Sequence, residues 1–136
     1  MALTTAISKR ELKRVAAASY EGRTLKSMLC NVGVSGYTEE STVANWQSVE
    51  LTDPDYTRFS TTIATGSYSG TEARYQMPTI NAVFSASSAG DGLVYDRVVS
   101  YINGETYVHS VITEDPNIAL APGQTQTYQL DLATND

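Results

Sequence analysis

His109 is the single histidine of the chain and so the first residue to weigh for acid–base or nucleophile-activating chemistry near neutral pH. Its neighbours Ser110 and Glu114 sit at the spacing any strand gives, with no nucleophile, base and orienting group arranged as a triad. Cys30 is the only cysteine, so no intramolecular disulfide is available, and with Lys26 as the one cation near it in sequence it reads as a small core residue. Asp53, Asp55, Asp91, Asp96 and Asp115 fall at turns or strand edges and lack the Asp-x-Asp-x-Asp-Gly spacing of a calcium loop. Glu39-Glu40 and Glu114-Asp115 are adjacent pairs that face opposite ways in an extended chain and cannot flank one glycosidic bond. Gly90-Asp91-Gly92 has no following Gly-Lys-Ser or Gly-Lys-Thr and reads as a hairpin turn. These residues lead to the expectation of a non-enzyme with no metal and no cofactor.

Residues suited to binding stand out instead. Up to Lys26 there are six cations against two acids, net +4, and the remainder has three against thirteen, net −10. Opposed fields of this kind orient docking on a copy of the chain or on an acidic neighbour. Lys9, Arg10, Lys13 and Arg14 are the expected polar contacts, with Leu12 and Val15 as apolar anchors. A second candidate is aromatic. Nine Tyr and one Trp against two Phe favour rings that pack while keeping a polar tip wet, and Tyr95, Tyr101, Tyr107 and Trp46 are expected to form an exposed face for protein or sugar.

At 136 residues and 41% hydrophobic, the chain supports one compact domain with an appendage. The net charge of −6 argues against a general nucleic-acid binder. Lys9 and Arg10 interrupt any signal-peptide core, and no stretch approaches the roughly 18 apolar residues of a spanning helix, so no membrane partner is expected. Ser8 and Glu11 form a capping box that opens a short helix, about Lys9 to Ser19, which Glu21-Gly22 ends. Residues 1–22 are thus read as a basic helical arm and 23–136 as a β-sandwich domain.

The body alternates Val, Ile, Thr and Tyr with Gly, Asn, Asp and Pro, which predicts eight strands. They run about Thr24–Asn31, Ala44–Leu51, Phe59–Thr65, Ala73–Gln76, Ile80–Ala86, Val94–Ile102, Tyr107–Thr113 and Thr125–Leu132. Asn103-Gly104 predicts a type I′ turn that pairs the sixth and seventh. Turns are expected at Asp53-Pro54-Asp55, Gly66 to Gly70, Ala89 to Gly92, Asp115-Pro116-Asn117 and Pro122-Gly123, and a long loop over Asn31 to Val43. The fold class is all-β, an antiparallel β-sandwich with a jelly roll among the arrangements that fit.

Read through, the body resembles a group of small structural proteins of tailed bacteriophages, including those of cyanobacteria. The resemblance lies in Leu25-Lys26-Ser27-Met28-Leu29, Asp55-Tyr56-Thr57-Arg58, Tyr75-Gln76-Met77-Pro78, Phe84-Ser85-Ala86, Gly92 through Val99, and Thr113-Glu114-Asp115-Pro116-Asn117-Ile118. The basic helix ahead of the first strand departs from that pattern, which usually starts directly at the strand, and so points to an added docking function. The resemblance implies a virion component made in the host cytoplasm and carries over no catalytic residue. It leads to the expectation of a capsid decoration or cement protein on the capsid surface, homo-oligomeric, with the major capsid protein and copies of itself as partners. A tail or connector subunit, and a carbohydrate-binding sandwich module using Trp46 and the tyrosines, are the alternatives.

Overall fold

The computed structural model describes residues 14–15, 18–33, 36–68 and 75–132. Along the chain run β1 (Thr24–Cys30), α1 (Val43–Gln47), β2 (Phe59–Thr62), β3 (Ser67–Tyr68), β4 (Tyr75–Gln76), β5 (Ile80–Ser85), β6 (Leu93–Ile102), β7 (Ser110–Leu120) and β8 (Thr125–Leu130). A four-stranded antiparallel sheet has the order β2-β1-β6-β7, β5 pairs antiparallel with β8, and β3 pairs with β4. The fold is all-β and sandwich-like.

The central strands are buried on both faces, and that decides the architecture. On one face Leu25 and Leu29 of β1 and Leu93, Tyr95, Val98 and Ile102 of β6 pack against Ile80, Ala82 and Phe84 of β5 and Tyr128 and Leu130 of β8. On the other, Met28, Cys30, Val99 and Tyr101 meet Val43 and Trp46, which α1 supplies. Each large side chain so buried stabilises the fold by about 1.5–3 kcal/mol before entropy is charged against it. The polar exceptions are matched: the Ser27 and Ser100 hydroxyls, buried opposite each other on β1 and β6, share a 2.7 Å hydrogen bond.

Three departures from the sequence reading have local causes. The strand expected over Ala44–Leu51 is instead helix α1. Thr42 Oγ1 accepts from the Asn45 N–H at 3.1 Å while Asn45 Oδ1 accepts from the Thr42 N–H at 3.3 Å, an Asn-based capping box that starts a helix. Val43 and Trp46, three apart, then share its buried face. At Asn103-Gly104 the turn is of type II character, not I′: Gly104 alone has positive φ (95°), and the Glu105 N–H donates to Ile102 O. Residues 105–109 are drawn aside, because Val43 N–H donates to Thr106 O and Thr42 bridges Tyr107, so β7 begins only at Ser110. Finally, β7 runs on through Asp115-Pro116-Asn117, where a turn was expected, with the Asp115–Pro116 peptide cis. Arg97 pairs with Thr113 but Tyr95 with Ile118, so Glu114–Asn117 bulge outward opposite the single residue Asp96. The expected turn over Gly66 to Gly70 contains the short strand β3.

Gly92 enters β6 at φ +89°, and a Cβ there would lie 2.4 Å from the Leu120 carbonyl oxygen. Gly92→Ala is expected to lower stability by about 2 kcal/mol through backbone strain and that contact. The check is a lower urea midpoint at unchanged slope.

Candidate interaction surface

Of the expected docking residues, Lys9, Arg10, Leu12 and Lys13 lie outside the described residues. Arg14 and Val15 are helical and exposed, Val15 by 45%. From there the chain is tied to the body at successive residues. Tyr20 packs on the first core and meets His109 edge-on, centroids 5.9 Å apart. The Glu21 carboxylate accepts from the Gly66 N–H at 2.9 Å, and the Gly22 N–H donates to Ile63 O at 2.9 Å. Ile63 N–H in turn donates to Arg23 O, and Arg23 pairs with Glu105 at 2.7 Å. The root of the arm, residues 20–23, therefore belongs mechanically to the sandwich, although the sequence puts its boundary at residue 22. Burial holds the His109 imidazole below its ordinary pKa, so it is neutral at pH 7 and serves as an apolar contact for Tyr20.

The expected exposed aromatic face is not formed. Trp46 and Tyr95 are fully buried, Tyr101 nearly so, and of the four only Tyr107, 64% exposed, reaches solvent. Strict alternation along β6 places Tyr95 with Tyr101, but the bulge at Asp96 shifts the phase by one residue. Tyr95 thus joins Val98 and Ile102 in the first core, where its hydroxyl and that of Tyr128 lie 2.7 Å apart. Tyr101 joins the second core. Trp46 is capped there by Tyr37, ring centroids 5.3 Å apart, and its indole N–H donates to Thr38 O at 3.0 Å. A sugar-stacking platform needs an open ring face, which Trp46 does not offer.

A polar network at the rim of the second core has no signature in the sequence. Arg58 forms a two-point pair with Glu50, its Nε at 2.9 Å from Oε2 and Nη2 on Oε1, and its Nη1 donates to the Tyr101 hydroxyl at 2.8 Å. Tyr56 donates to Glu50 and accepts the Leu29 N–H at 3.1 Å. The hydrogen bonds to Glu50 push the Arg58 pKa up, and burial pushes up that of Tyr56. This network clamps the 50–58 segment onto β1 and β6. Cys30 lies nearby, its Sγ–H donating to Trp46 O at 3.6 Å, with burial pushing its thiol up to about 12. A thiol reagent at pH 8 is expected to leave Cys30 unmodified in the folded protein and to label it fully in denaturant, read by mass spectrometry.

At the end of the sheet away from the arm root, the bulge opens a cleft of about 530 Å³ lined by Asn31, Asp96, Arg97, Glu114, Asp115 and Asn117, among others. Asp96 builds its floor. Its carboxylate accepts from the Val32 N–H at 2.9 Å and from the Gly33 N–H, and it pairs with Arg97 at 3.3 Å. Arg97 Nη2 donates to Gly33 O at 2.9 Å, so the 31–33 loop is fixed to β6. Glu114 and Asp115 remain on the wall, Asp115 exposed. Among the described residues no group of three His, Cys, Asp or Glu side chains is gathered closely enough to hold a metal ion. Compared with known proteins, the chain matches no family model, no curated protein and no solved structure.

Proposed function

We propose that this protein is a virion structural protein, a decoration or cement subunit that binds the assembled major-capsid lattice and ties neighbouring subunits together. The observation that carries this reading is the arm: residues 1–22 hold four cations against two acids, net +2, ahead of a body of net −8, and the arm's root is fixed to the sandwich while Arg14 and Val15 stand exposed ahead of it. A docking element needs that combination, since a fixed root keeps the cost of ordering the contact low and an exposed basic face reaches a carboxylate surface. The central strands β1 and β6, covered on both faces, support the same role. Many copies each adding a modest interface stabilise a lattice by mass action, favouring the shell geometry to which all of them bind.

The test is co-sedimentation of the full-length protein with purified shells of the encoding phage assembled without it. Saturable binding at a fixed ratio to the capsid subunits, with a higher shell melting temperature, is expected. Failure to bind shells, with binding to purified tails or connectors, would move the protein to the tail.

A further inference from the structure

The arm root and the bulge cleft stand at opposite poles of one strand. β1 starts at Thr24, next to the fixed root, and ends at Cys30, whose pairing partner Arg97 lines the cleft. Seven residues of strand separate the two by roughly 20 Å. The cleft is flanked by β7, the edge of the four-stranded sheet, whose outer side pairs with no strand among the described residues. An eleven-residue edge is a template for another strand, a second β7 being the simplest. The bulge with Pro116 and the acids Glu114 and Asp115 select against the simplest occupant, a second β7, because two such edges would set like charges side by side. A basic segment has the complementary charge, and the chain itself contains one in Lys9, Arg10, Lys13 and Arg14.

We propose that the basic segment of one copy docks by its cations on the acidic Glu114–Asp115 cleft at the opposite pole of the next copy. This names a partner for the arm and rests on the reading that the arm is a docking element. The contact is heterologous, head to tail, so it links copies into rows or closes them into rings as the rotation between neighbours dictates.

The experiment is sedimentation velocity of the full-length protein over a range of concentrations at low and high salt. It compares wild type, Lys13→Glu/Arg14→Glu, Glu114→Lys/Asp115→Lys, and an equimolar mixture of the two variants. Wild type is expected to associate in a salt-sensitive manner, and each variant alone about tenfold more weakly. The mixture is expected to regain association, because a reversed arm then meets a reversed cleft. The milder Glu114→Gln/Asp115→Asn, checked for an unchanged melting temperature, should also weaken it. A wild type that stays monomeric, a cleft variant that associates like wild type, or a mixture that does not recover would overturn the proposal. Shell binding separates the two readings: cleft variants are expected to bind shells while arm variants do not. An arm variant that binds shells like wild type rejects the arm as the capsid contact, and one that also self-associates like wild type rejects the arm as a docking element altogether.

Discussion

Trp46→Ala is expected to destabilise the protein by roughly 3–5 kcal/mol, the largest effect of any single truncation in the second core. The indole is fully buried, touches Tyr37, and ties its N–H to Thr38 O, so removing it empties a cavity and leaves that carbonyl without its donor. The loss propagates, because α1 holds the second core closed through only two buried residues, Val43 and Trp46. Met28, Cys30, Val99 and Tyr101 then face solvent on one side. For a domain of this size the melting temperature should fall by roughly 10–20 °C, measured by circular dichroism or calorimetry. Trp46→Phe, which keeps most of the packing and loses the N–H, should retain a larger share of the stability. A Trp46→Ala protein that melts like wild type would mean that the indole is not in the core.

The second large effect concerns attachment. Reversing Lys9, Arg10, Lys13 and Arg14 to Glu in the full chain turns four attractions into repulsions. At about 0.5–1 kcal/mol each, the loss is roughly 2–4 kcal/mol, or 30- to 1000-fold in affinity for shells. The melting temperature is expected to change by only a few degrees, because the ties at residues 20–23 are left in place by the reversal. Raising salt should weaken wild-type attachment in the same direction, since the contact is made by exposed charges screened over about 8–10 Å. Equal binding by the reversed chain would place the capsid contact on the body instead.

Much of the fold is legible in the sequence because period-two patterning and turn residues are local signals. Leu25 to Cys30 and Val94 to Ile102 read as strands from their Val, Leu, Ile and Met content, and the structure pairs them in the centre of the sheet. What escapes is set by tertiary partners. On β6 the bulge involves one residue, Asp96, opposite Glu114–Asn117 of β7, but it shifts every β6 side chain after it to the other face, so Tyr95 and Tyr101 are separated into different cores. Trp46 in a run of mixed residues resembles an exposed strand residue until α1 folds it under Tyr37. The Glu50–Arg58 pair and the Asp96 floor of the cleft join residues whose relation is spatial, Asp96 reaching across 63 and 64 positions to Gly33 and Val32. The charge division between the arm and the body is a property of composition, and it reads off the chain without a structure.

The measurement that tests the proposed role most directly is the copy number and location of the protein in purified virions, by quantitative mass spectrometry and imaging of labelled particles. A decoration or cement subunit is expected at on the order of hundreds of copies spread over the shell, in a fixed ratio to the major capsid protein. About six or twelve copies at one vertex, or none in the particle, would contradict that role.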